Sequence, residues 1–262
     1  MTETEWLTSD APLRLLSGLG ESVTQRKLLL LACACTRQVG HLLEDVRSHE
    51  ALAACEAVAE IPGIGITVGT YDEGNDALAV VTALQERVFR DPTFVVLRAR
   101  EAAAVAVLTL RRYHGPELIR VIDNLVSNAL RNEAFAREVS HDPHLLEWGE
   151  SALERQERQQ ASLAALDASR VTEAARADLL RDIFGNPWHP EAIDPVWLAW
   201  NDGTVRRLAQ TIHDERRFTA MNILADALLD AGCTRETIIA HCRSPKPHVR
   251  GCWVIDALLG KA

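Results

Sequence analysis

Apolar positions recur at helical spacing along most of the chain. Trp6, Leu7, Leu13, Leu15 and Leu16 predict one or two short helices with an apolar face. Ser22 to Leu43 reads as a longer helix, with Ser22 as its cap and Gln25 in the capping-box position. Its centre, LLLLACAC, is apolar on every side, the pattern of a helix enclosed by neighbours. Ser48 to Glu60 predicts an alanine-rich helix that stops before Pro62. In the IPGIGITVG that follows, Ile64, Ile66 and Val68 alternate like a strand, but no partner strand presents itself, so the segment reads as an ordered loop. Further helices are expected from Asp76 to Arg90, from Pro92 to His114 around AAAVAVLTL, and from Gly115 through the stripe Ile119, Ile122, Leu125, Val126 and Leu130. Asp142-Pro143 opens another that reaches into SALERQERQQASLAALDAS. That piece is polar on most faces, with Glu154 and Arg158 at the favourable i, i+4 spacing.

Towards the C-terminus, a helix from Ala174 to Phe184 stops at Gly185-Asn186-Pro187, where glycine suits a left-handed cap. Asp194-Pro195 starts a short helix, and Asn201 is placed to cap the next, which carries Val205, Leu208, Ala209 and Ile212. Ile223, Leu224, Ala227 and Leu228 share one face of the following helix, which Gly232 closes. Thr234 to Cys242 is one more helix, SPKP breaks the chain, and Val249 to Leu259 finishes it. The expected fold is all-α: an acidic helical body over residues 1–168 and a small tryptophan-rich helical module over residues 169–262. The boundary falls in the polar helix between Ser151 and Ser169, and the pattern leaves open whether the two parts share one core.

Composition supports helix, with 47% hydrophobic, 25% charged and only 5% aromatic residues in 262. The net charge of −9 is uneven: residues 185–262 hold nine basic and nine acidic side chains, so 19 basic and 28 acidic precede them. Such a balance excludes a chain that binds nucleic acid by bulk charge. MTETEWLTSD lacks a positive region ahead of an apolar stretch, so no secretory signal is read there. The longest apolar runs, Leu28 to Cys35 and Ala102 to Leu108, fall short of the roughly 18 residues of a membrane span. A cytoplasmic location with no membrane partner is expected, which leaves the six cysteines as thiols or metal ligands.

Several segments carry a resemblance. LLRDIFGNPWHP, DPVWLAWNDGTVRRLAQTIHDERRF, ILADALLDAGC and IIAHCRSPKPHVRGCWVIDALLGK resemble the tail of a family of uncharacterised planctomycete proteins, and MTETEWL with RKLLLLACACTRQVGHLL resembles its N-terminal part. The likeness covers the two ends of the chain and is loose between them. It implies that the tail is a recurring module and that the middle is where members diverge. It implies no established activity and lends no catalytic residue. Family members often carry adjacent cysteines where this chain has Cys35 followed by Thr36, which speaks against a metal at Cys35.

The candidate chemistry lies mostly in the tail. Cys33 and Cys35, two apart on a helix, point about 200° apart and cannot share one ion, so they read as small buried hydrophobes. The glycines of IPGIGITVG lack the lysine of a phosphate loop. Cys242, His248 and Cys252 are spaced C-x5-H-x3-C, with His241, Cys233 or His189 available as a fourth donor for zinc, which takes four nitrogen or sulfur ligands. Pro245 and Pro247 can hold the loop so that His248 folds back, although the spacing matches no common finger or ribbon and contains no CxxC. The same residues admit a thiol nucleophile, Cys252, with His248 as base and Asp256 as orienter. A helix N-terminus beside Arg250 would lower the thiol pKa that such a role needs.

Arg243, Lys246 and Arg250, with Arg206 and Arg207, could hold an anion, though nine acidic residues in the same module offset their field. Trp188, Trp197, Trp200 and Trp253 are four of the six tryptophans, which predicts a compact aromatic cluster with Trp188 or Trp200 as an interface anchor. The reading reached from the sequence is a non-catalytic interaction or scaffold protein whose partner is another protein and which needs no cofactor. The alternatives are a zinc-stabilised module, or a thiol-dependent hydrolase that uses Cys252 and His248.

Overall fold

Every regular element among the described residues is helical, as the apolar spacing requires. The structure, a computed structural model, describes residues 1–20, 23–43, 46–61, 115–139 and 152–261. The helices are α1 (Glu3–Thr8), α2 (Pro12–Gly18), α3 (Gln25–Arg37), α4 (Val46–Ala59), α5 (Gly115–Val139), α6 (Ala152–Phe184), α7 (Pro195–Glu215), α8 (Met221–Asp230), α9 (Glu236–Cys242) and α10 (Trp253–Leu259). Short 3-10 turns occur at Gly40–Leu42 and Phe218–Ala220. The loop expected at IPGIGITVG, the helices expected between Asp76 and His114, and the start expected at Asp142 lie outside the described residues. No helix among the described residues is long and apolar enough to cross a membrane.

Internal contacts divide the chain into two units, residues 24–176 and residues 1–23 with 177–262. This differs from the expected division into 1–168 and 169–262. The N-terminal residues group with the tail, where Trp6 is held against Gly185.

In the unit 24–176, α3 is the centre. Every side chain from Leu28 to Thr36 is buried, and α3 packs on both α4 and α5. Thr24, not Ser22, caps it: the Thr24 hydroxyl accepts from the Lys27 amide at 3.3 Å, so the helix starts at Gln25. Cys33 and Cys35 are both buried, and burial pushes the Cys35 thiol up to about 12, which makes them packing groups. Arg37 ties α3 to α4 through two bonds to Glu56, at 2.5 and 3.0 Å. Arg176 is almost wholly enclosed, donating to Asp123 Oδ1 at 2.5 Å and to Ser127 Oγ at 2.7 Å. Burial raises the Asp123 pKa despite that guanidinium. Helix α6 runs unbroken to Phe184, where two pieces were expected, because no glycine or proline interrupts it.

In the other unit, α8 and α10 pack on α7, and α9 packs on α8. The core holds Trp197, Val205, Ile212, Leu224, Leu228, Ile238, Ile255 and Leu258, with Trp200 and Trp253 packed against it. The tryptophans therefore do not form one cluster: Trp188 leaves the core and pairs with Trp6, ring centroids 6.2 Å apart. Trp6 is fully buried and donates its indole N–H to the Gly185 carbonyl at 2.9 Å. Arg181 donates to the carbonyls of Trp6, at 2.9 Å, and of Ser9. Asn186 donates to Glu3 at 2.7 Å, so α1 is fastened to the end of α6. Gly185 is required there twice over: its φ is +66°, and an added Cβ would lie 3.0 Å from the Trp253 ring.

Asn201 does not cap a helix. Asn201, Asp202 and Gly203 are all left-handed, with φ of 46°, 54° and 78°, and kink α7 in its first half. These three residue types tolerate that conformation best. Arg207 closes the turn by donating to the carbonyls of Asn201 and Asp202 and to Thr204 Oγ1.

Trp6→Ala is expected to destabilise the unit that contains it by about 3–5 kcal/mol, the range for emptying a large buried aromatic site. Urea unfolding of the full chain reads this. A loss below about 1 kcal/mol would show that α1 is an ornament on the tail.

Candidate functional site

One carboxylate interrupts the apolar end of α6. Leu179, Leu180 and Ile183 are buried, and Asp182 is buried among them. A carboxylate so enclosed is tolerable only with hydrogen-bond donors around it. The connection between α9 and α10 supplies them. His248 Nδ1 donates to Asp182 Oδ1 at 2.6 Å, and the Val249 amide donates to Oδ2 at 2.9 Å. His241 Nε2 lies 3.2 Å from Asp182 Oδ1 and 3.2 Å from Cys252 Sγ. One turn earlier on α6, Asp178 takes the Lys246 ammonium at 2.7 Å. Positions 178 and 182 share a helix face, so the two acids lay the segment from Ser244 to Val249 along that face. Pro245 and Pro247 have no N–H of their own to satisfy.

Burial pushes the Asp182 carboxyl up, but the bonds from His241 and His248 outweigh it and hold the group below the ordinary carboxylate range. A depressed carboxyl adds stability that is present at neutral pH and is lost as the pH falls through the lowered value. Trp253 Nε1 bonds His241 Nδ1 at 3.1 Å. An indole N–H only donates, so Nδ1 accepts and the His241 proton sits on Nε2, facing Asp182 and Cys252.

Cys252 occupies the residue before α10 and is fully buried, its Sγ 3.9 Å from His248 Nδ1. Burial, and then the Asp182 charge, push its thiol well above the ordinary value, and the Ile255 and Val254 amides pull the other way without prevailing. The lowered pKa expected from a helix start is thus reversed.

Of the residues singled out by sequence, His241, His248 and Cys252 come together. Cys242 does not join them: it follows His241 on α9, about 100° round the helix, and turns into the core, where burial pushes its thiol up to about 12. Cys233 is also in the core, and His189 sits beside Glu3 at 3.3 Å. Asp256 is buried but is not one of the converging groups, so the carboxylate that orients His248 is Asp182 instead. Arg243 pairs with Asp226 at 2.7 Å and Lys246 with Asp178, while Arg250 reaches the His213 carbonyl at 3.4 Å. Two of the five expected anion-binding cations, Arg243 and Lys246, are therefore already held by carboxylates. Trp188 is part-exposed beside Trp6, and Trp200 packs on the core.

Asp182 was missed by sequence because it lies 66 residues from His248, beyond any motif spacing. Its one signal is a carboxylate within the apolar end LLRDIF. Asp182 Oδ1, His241 Nε2, His248 Nδ1 and Cys252 Sγ lie within 4.8 Å of one another. One sulfur, two imidazole nitrogens and one carboxylate oxygen make a donor set suited to zinc and its neighbours. No protein-family model, curated protein or solved structure matches the chain.

Asp182→Asn keeps the shape but turns an N–H towards donors on one side. It is expected to lower stability by about 3 kcal/mol, as breaking a buried pair does. Asp178→Asn, which weakens only part-exposed pairs with Lys246 and Arg181, is expected to change it by less than about 1 kcal/mol. Equal effects in parallel urea titrations would contradict the assignment of Asp182 as the anchor.

Proposed function

We propose that this chain is a non-catalytic interaction or scaffold protein, with the unit of residues 1–23 and 177–262 as the part that docks on another protein. The observation that carries the reading is an inversion of the usual active-site arrangement. The groups able to do chemistry, Cys252, His248 and Asp182, are enclosed and bonded to one another. Large apolar side chains of the same unit face outward, among them Val196, 66% exposed, and Ile223, 58% exposed. Outward apolar groups on a unit with eleven basic and fifteen acidic side chains suit a protein partner better than a nucleic acid.

The thiol-hydrolase alternative is less well supported. A nucleophile must meet its substrate as a thiolate, and the Cys252 sulfur is both enclosed and held protonated by its surroundings.

Two measurements test the reading. All six cysteines are buried, so the folded protein is expected to show no fast-reacting thiol to a disulfide reagent at neutral pH, and six after denaturation. One thiol reacting within seconds in the folded state would favour the hydrolase. Val196→Asp with Ile223→Asp is expected to shift stability by no more than about 1 kcal/mol, the scale of exposed sites. The same pair is expected to abolish crosslinks formed by the full chain in its own cells. Crosslinks that survive the substitutions, or never form, would overturn docking through these side chains.

A further inference from the structure

We propose that Asp182, His241, His248 and Cys252 form a binding site for one divalent transition-metal ion of the zinc class. The site goes beyond the docking reading and would brace the tail whether or not the tail docks. Its four donor atoms already lie within 4.8 Å of one another, and they come from three separate places: the end of α6, the end of α9, and the connection into α10. A closed structural zinc site requires four donor atoms converging on one point, whichever segments supply them.

Charge supports the same class of ion. The Asp182 carboxylate and a Cys252 thiolate together offset a dication, and two neutral imidazoles complete the tetrahedron. The thiolate and imidazoles select a borderline-soft ion over calcium or magnesium, which take oxygen ligands. Enclosure also fits: Cys252 is fully buried and the side chains of Asp182 and His248 are 4% and 5% exposed, so three donors are sealed and the His241 edge, 17% exposed, is the way in.

Loading changes the group in two definite ways. His248 Nδ1 and Asp182 Oδ1 are 2.6 Å apart, whereas two ligands on one tetrahedral zinc, each about 2.0 Å from it, stand about 3.3 Å apart. The hydrogen-bonded pair therefore opens as the ion enters. Proton bookkeeping follows. Cys252 gives its proton to solvent as the metal–sulfur bond forms. On His248 the ring proton passes from Nδ1 to Nε2, a buried nitrogen that has no other partner. On His241 it passes from Nε2 to Nδ1, which ends the bond from Trp253. One proton leaves per ion bound, and nothing is oxidised or reduced.

The test is cobalt(II) titration of the full-length, untagged, chelator-stripped protein. The expected result is one ion per chain, with a near-ultraviolet thiolate-to-cobalt band and the strong visible bands of a tetrahedral site. Cys252→Ser is expected to remove the thiolate band, and Cys242→Ser to retain it. Asp182→Asn is expected to weaken binding at least about tenfold, the smallest loss usual even for outer-shell partners of a metal. Helical circular dichroism of each variant identifies any that fail to fold, and His241→Gln then replaces it as the ligand-loss variant. The wild-type titration alone can overturn the proposal: no stoichiometric cobalt, or cobalt bound with no thiolate band, would do so. A band lost with Cys242 and kept without Cys252 would overturn it as well.

Discussion

The tail depends on one buried carboxylate. Between α9 and α10 the chain has neither helix nor ladder, and its prolines offer no donors, so its path must be fixed by side chains. Asp182 fixes it by accepting from a ring nitrogen and a backbone amide that are adjacent in the chain. Those bonds set where α10 begins, and so where Cys252 and Trp253 are placed. Trp253 in turn lies against Gly185, the residue whose carbonyl takes the Trp6 indole. A line of contacts thus runs from the first helix, through the end of α6, to the last.

Much of the architecture is legible in the sequence because helical apolar spacing is a strong signal. The enclosed α3, the stripe on α5 and the proline-started α7 all follow from it. The failures have physical reasons. Asn201 reads as a helix cap because asparagine favours caps, yet asparagine, aspartate and glycine also favour the left-handed turn the chain forms at 201–203. Ser22 and Thr24 both offer a capping hydroxyl, and only geometry chooses between them. The association of Trp6 with Gly185 spans 179 residues, and no local pattern encodes it.

The site was half legible for a related reason. Residue type pointed to His241, His248 and Cys252, which do converge. Proximity along the chain pointed to Cys242 and Asp256, which do not; Cys242 follows His241 on α9 and so faces another way. The missing member, Asp182, was visible only as a charge out of place in an apolar stripe. Such a charge signals that a distant partner exists without saying which. The resulting arrangement, polar groups turned inward and apolar side chains left outside, is the basis on which docking and metal binding are proposed.

Hydrogen exchange at the Val249 amide tests the central claim most directly. The account predicts that this amide, although outside any helix, is protected as strongly as the Asp256 amide within α10, which bonds the Cys252 carbonyl at 2.9 Å. It predicts that Asp182→Ala removes the protection at Val249 first. Exchange of Val249 in the wild-type protein at the rate of an unbonded loop amide would contradict the account.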